Sequence, residues 1–135
     1  MYLDPSEQNA ARLLERNLEG PVVMLNLVRF RSIADYRDYP DLAPDLPVAG
    51  REAYDLYIAH MLPLLEATGG SLDFVGAGGH CFIGPDDERW DLALLVRQAS
   101  VQQFLSFGQD PEVLAGVGHR YAALEDSRLL PLGIR

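Results

Sequence analysis

Nine consecutive residues, Val22 to Phe30 (VVMLNLVRF), constrain this chain more than any other stretch. Side chains alternate across a strand. Val22, Met24, Asn26 and Val28 therefore share one face, and Val23, Leu25, Leu27 and Arg29 share the other. A strand apolar on both faces belongs in the middle of a sheet that is covered on both sides. Asn26 and Arg29 are the exceptions, one on each face. A buried amide costs stability unless it is hydrogen-bonded, so each residue is either a structural contact or part of a site.

Turn and cap signals set out the rest. Asp4 as N-cap, Pro5 at the first helical position and Glu7 two residues on predict a helix that turns Ala10, Leu13, Leu14 and Leu18 inward and stops at Gly20. Residues 31–50 hold Pro40, Pro44 and Pro47 and predict a long irregular connection. Such a segment is either a lid, binding loop or interface arm, or a surface loop packed by its own Tyr36, Tyr39 and Leu42. Arg51 to Thr68 reads as the main helix, with a stripe of Tyr54, Ile58, Met61 and Leu65 flanked by Tyr57, Leu62 and Leu64. Pro63 predicts a bend and Gly69-Gly70 the end. Two strands follow, Ser71 to Ile83 and Trp90 to Arg97, joined by the turn sequence GPDDER. Gly76, Gly78 and Gly79 predict a bulge or a close backbone approach. Ser100 to Gln103 reads as a capping box, Asp110-Pro111 restarts a helix toward Leu124, and Asp126 to Leu132 forms a last strand.

The order after the first helix is β, loop, α, β, β, α, β. It predicts a single α+β domain over residues 1–135: a ferredoxin-like split βαβ unit with a four-stranded antiparallel sheet and an extra N-terminal helix within residues 1–20. The 31–50 connection is an insertion. Helices would cover one sheet face. The simplest cover for the other is a second copy, which predicts a homodimer packed sheet to sheet.

Composition narrows the function. Net charge of −9 argues against nucleic acid and against anionic membrane surfaces as partners. No apolar run approaches the ~18 residues that cross a bilayer, and no signal peptide is visible. With Cys81 alone there is no intrachain disulfide, and a cytoplasmic setting is expected. All 11 basic residues are arginine, which removes lysine chemistry such as Schiff bases and P-loops. His60, His80 and His119 lie on separate elements without ligand spacing, so neither a metal nor another cofactor is expected. Cys81 has no activator and is expected to be a buried, inert thiol.

PVVMLNLVRF after a short helix, a main helix ending in GG, WDLALLVR, and HRYAALEDSRLLPL together resemble the bacterial "domain of unknown function 1330" family over roughly residues 21–132. That family belongs to the dimeric α+β barrel superfamily. The resemblance implies the fold, the dimer and a small-molecule pocket between the sheet and the helices of each protomer. The superfamily spans cofactor-independent monooxygenases, isomerases, haem-dependent enzymes and plain binding domains, so fold does not choose among them.

Six residues are candidate ligand contacts. Asn26 looks like the strand asparagine that some superfamily monooxygenases use to hold a carbonyl or phenolate; alternatively it bonds a neighbour. Arg29 either reaches a ligand or pairs with an acid. Tyr57, at the stripe edge, either aims its hydroxyl into a cavity or packs in the core. Trp90 either stacks on a substrate or packs. His119 could exchange protons near neutral pH or cap carbonyls, and Arg120 could bind a ligand or pair with Glu125 or Asp126. The functional expectation is a small-molecule-binding protein, with cofactor-independent oxygenation or isomerisation of an aromatic or enolisable compound as the reaction class. The alternative is a non-catalytic dimeric or ligand-sensing module.

Overall fold

A computed structural model describes residues 1–135. In chain order it contains α1 (Glu7–Glu15), β1 (Val22–Phe30), a 3-10 turn (Pro40–Leu42), α2 (Gly50–Ala67), β2 (Ser71–His80), β3 (Arg89–Gln98), α3 (Val101–Phe107), α4 (Pro111–Leu114), α5 (Val117–Ala123) and β4 (Leu124–Gly133). The strands form one sheet in the order β2-β3-β1-β4, antiparallel at every join. This is the ferredoxin-like α+β topology, with β1 inside. No helix is long and apolar enough to cross a membrane.

The pairing registers show why β1 is apolar on both faces. On the helix side, Leu72, Val96, Met24 and Pro131 form one row across the four strands, and Val75, Leu94, Asn26 and Leu129 the next. Val22, Met24, Val28 and Leu94 are essentially inaccessible beneath the helices. They belong to two clusters: Val28 and Leu94 with Ala53, Tyr54, Ala123 and Leu124, and Val22 and Met24 with Leu13 and Val101. A third cluster joins Met61 and Leu65 of α2 to Phe107 and Val113. On the opposite face, Phe74, Leu95, Leu25 and Leu130 line up across all four strands. No element of the chain covers this row, and Phe74 and Leu130 are 55% and 53% exposed.

Several expectations need correction. The first helix is capped by Ser6, whose hydroxyl accepts from the Asn9 amide at 3.1 Å. Asp4 instead accepts from the Tyr121 hydroxyl. The helix ends at Glu15, because Asn17 adopts a left-handed conformation, so Leu14 stays exposed. β2 stops at His80, leaving Cys81 exposed in the connection rather than buried. The bulge in β2 lies between Leu72 and Phe74, upstream of the glycines. One extra residue reverses the side-chain alternation. Leu72 therefore faces the helices and Phe74 the open face. The glycines serve close approach instead: the Phe74 ring lies over Gly76, and Gly78 packs against the Trp90 carbonyl. The helical stretch toward Leu124 is three short pieces, capped by Ser100 and Asp110 as expected.

The 31–49 connection is tied to the helices through its backbone. Arg31 N donates to Ala123 O at 2.8 Å, Ala34 N to Val48 O at 2.9 Å, and Asp35 N to Ala122 O at 2.9 Å. Gly50 N closes the loop on Arg31 O at 3.1 Å. A Cβ at Gly50 would lie 2.7 Å from Ala123 O and closer still to Arg31 O. Both obstacles are backbone and cannot rotate away. Gly50→Ala is therefore expected to destabilise by at least the ~1–3 kcal/mol of an overpacked core, seen as a fall in Tm of several degrees. An unchanged Tm would mean that the junction opens freely.

Candidate functional site

Five of the six candidate side chains already have partners within the chain. Asn26 Nδ2 donates to Met24 O at 3.2 Å, on the helix-facing side of the sheet. Arg29 pairs with Glu125 at 3.3 Å and Asp126 at 3.4 Å. A register shift between Arg29 and Phe30 brings both acids within its reach. The guanidinium of Arg29 lies 5.5 Å from the centre of the Trp90 ring, and that of Arg128 lies 4.9 Å from it. Trp90 is thus buried between two cations, and its indole binds them through its π face.

Asp126 organises this end of the sheet. It accepts from Tyr2 N at 2.8 Å, Ser127 N at 2.9 Å and Arg128 Nη1 at 2.8 Å, besides Arg29. Burial raises its carboxyl pKa, but these donors outweigh burial and hold it below the ordinary value. Arg120 does not pair with Glu125 or Asp126 as expected. Its Nη1 donates to Leu3 O at 2.7 Å and its Nη2 to Ser127 Oγ at 3.2 Å. Ser127 Oγ in turn donates to Tyr2 O at 2.6 Å. Residues 2–4 are thereby strapped across α5 and β4, where Leu3 packs against the core.

His119 Nδ1 and the Tyr36 hydroxyl share a hydrogen bond of 2.7 Å. Burial, then the nearby His60, lower the His119 pKa and favour the neutral ring. His60 Nε2 lies 2.6 Å from Glu112 O and donates to it. Tyr39 stacks on Tyr121 with ring centres 5.7 Å apart. The aromatic residues of the 31–49 connection thus pack on α5.

Tyr57 is the sixth candidate, and it has a companion that sequence reasoning assigned to the core. The rings of Tyr54 and Tyr57 lie 5.6 Å apart under α2. Tyr36 and Tyr121 use their hydroxyls within the chain; Tyr54 and Tyr57 do not. Burial raises both of their pKa values, while the positive charge of Arg120 pulls each down. The structure therefore brings Tyr54, Tyr57 and Arg120 into one electrostatic neighbourhood. Asn26 lies on the sheet face they cover. Arg29 and Trp90 form a second group around Asp126. The companion signal was present in the sequence: Tyr54 and Tyr57 are three residues apart on one helix, a spacing that makes side chains neighbours.

A base whose folded pKa lies below its unfolded value binds fewer protons when folded. The contribution of His119 to stability is therefore full above its unfolded pKa of ~6.5 and is lost as pH falls below it. Between pH 7.5 and 5.5, Tm is expected to fall more steeply in the wild type than in His119→Gln. Parallel profiles would refute the assignment.

No family model and no curated protein matches the chain. Solved structures do. The RPA0582 protein of Rhodopseudomonas palustris, described as a protein of unknown function, is 36% identical, with 99% of this chain and 97% of that chain covered and a TM-score of 0.84. Its methylated form gives a TM-score of 0.85 at 36% identity, over 99% of this chain and 95% of that one. The hydroxynitrile lyase from Passiflora edulis is 18% identical, with 85% and 94% covered and a TM-score of 0.52, a likeness of fold. The 36% identity, carried over nearly the whole of both chains, places this protein in the family of RPA0582.

Proposed function

We propose that the protein binds a small molecule between the sheet and the helices of each protomer of a homodimer, as a relative of the "domain of unknown function 1330" family, whose motif order it keeps. One observation carries the reading: the rings of Tyr54 and Tyr57 pack together on the helix-covered side of the sheet, their hydroxyls make no hydrogen bond within the chain, and the positive charge of Arg120 acts on both. A hydroxyl that makes no hydrogen bond within the chain is free to donate to a guest, and such a bond contributes about 0.5–1.5 kcal/mol. Two neutral phenols and a guanidinium suit a carbonyl or enolate oxygen. Raised phenol pKa values keep the tyrosines as donors at neutral pH, which is the arrangement that stabilises a developing oxyanion. Isomerisation of an enolisable compound is the reaction class this would serve. Asn26 and His119 enter the site as outlying polar contacts, each already bonded once within the chain.

The dimer rests on the apolar row Phe74, Leu95, Leu25 and Leu130. A single face used by both copies suits a two-fold interface, and the Arg97–Asp73 and Arg128–Asp126 pairs would border it.

Two experiments test these readings. In thermal shift against neutral quinones, lactones and β-keto esters, a ligand at 100 times its Kd adds ~2.7 kcal/mol. The shift is expected in the wild type and absent in Tyr54→Phe/Tyr57→Phe, which loses only hydroxyls that are unbonded within the chain. A hit that persists in the double variant, or a panel without hits, removes the tyrosine site. In sedimentation velocity the wild type is expected as a dimer and Leu130→Glu as a folded monomer. A dimeric variant would exclude the open sheet face as the interface.

A further inference from the structure

A cavity of about 500 Å³ opens where the 31–49 connection leaves β1, and Phe30, Arg31, Arg51, Gly78, Arg89 and Asp91 are among its lining residues. Three arginines and one aspartate in a chain of net charge −9 form an unusual local surplus of positive charge. Asp91 does not cancel it. One of its oxygens accepts from Arg89 Nη1 at 2.9 Å and the other from Phe30 N at 2.8 Å. Asp35 makes no ion pair with Arg31 and is held by Arg37 at 2.7 Å, although the two charges still interact. The guanidinium groups of Arg31 and Arg51 make no ion pair and no hydrogen bond within the chain, and the Nε of Arg31 is buried without a partner.

This surplus is held in place before any ligand arrives. The Arg31 backbone is fixed on both sides, to Ala123 O and by Gly50 N. Arg51 lies over the Phe30 ring at 5.4 Å, so its planar fork is ordered by a cation–π contact. The cavity also meets the start of α2, an 18-residue helix whose N-cap, Ala49, supplies no side-chain acceptor. The amides of Arg51 and Glu52 therefore find no acceptor in the chain. A helix N-terminus carries partial positive charge and free N–H donors, both suited to an anion.

We propose that this cavity binds a small organic anion. A carboxylate or phosphate would be gripped by Arg31, Arg51 and the first amides of α2, with the ligand's apolar body against Phe30. The volume lies in the range of sites for small organic ligands and is too large for an inorganic ion alone. Guanidinium forks match both oxyanions bidentately. The site is distinct from the tyrosine pair, and neither proposal depends on the other.

Isothermal titration of the full-length protein with phenyl phosphate, benzoate, inorganic phosphate and benzyl alcohol tests the proposal. Saturable binding of phenyl phosphate or benzoate is expected, weakening as salt rises, with benzyl alcohol silent; which anion binds tighter distinguishes a phosphate from a carboxylate ligand. Arg51→Met, at an exposed position, is expected to fold and to bind about tenfold more weakly or worse, as is Arg31→Met. Arg12→Met, on α1, is the control that should bind as the wild type does. In amide NMR spectra, the resonances of Arg51 and Glu52 should shift on titration. Absence of binding by both organic anions, unchanged affinity in Arg51→Met, or inorganic phosphate binding as tightly as phenyl phosphate would each overturn the proposal.

Discussion

β1 sits between β3 and β4 and exposes its full length to both faces of the sheet. Burying an apolar side chain contributes roughly 1.5–3 kcal/mol, and β1 has three or more on each side. On one side, Val22, Met24 and Val28 are sealed by α1, α2, α3 and α5, and this packing carries two of the three core clusters. On the other side, Leu25 continues a row of leucines and a phenylalanine that the chain leaves open. The same strand thus stabilises the fold on one side and leaves an apolar row open on the other.

The polar residues divide according to whether the fold uses them. Around Asp126, Arg29 and Arg128 clasp Trp90, and the backbone of Tyr2 and Leu3 completes the network. Each donor has an acceptor there, so the cluster reads as a fastening between the N-terminal segment, β1 and β4. Tyr36 and His119 serve similarly between the 31–49 connection and α5. Several groups remain without a hydrogen bond in the chain, among them the hydroxyls of Tyr54 and Tyr57, the guanidinium groups of Arg31 and Arg51, the amides of Arg51 and Glu52, and the buried Gln98 Oε1. Unused hydrogen-bonding capacity held in fixed positions is what distinguishes a binding surface from a structural one.

The two proposed sites adjoin through a single residue. Phe30 lines the arginine cavity and packs on Tyr54 with ring centres 5.5 Å apart. Arg31, the next residue, anchors α2 through Gly50 and α5 through Ala123. The end of β1 is therefore where the sheet, the main helix and the inserted connection are fastened together.

By itself the sequence determined the element order, the central placement of β1 and the opposition of two apolar faces. These follow from period-2 alternation and from local caps such as Ser100 and Asp110, which act over a few residues and need no distant partner. The candidates Asn26, Tyr57, His119 and Arg120 were legible as polar residues in apolar settings, but their partners were not. Arg120 meets Leu3 across 117 positions, and Arg29 meets Asp126 across 97; no local pattern encodes such pairings. The bulge at Leu72–Phe74, which turns Phe74 to the open face, depends on register against β3. The arginine cavity was invisible for the same reason. Arg31, Arg51 and Arg89 belong to three separate segments, and only the closure of β1, α2 and β3 around one point brings their charges together, with Arg89 alone paired, to Asp91.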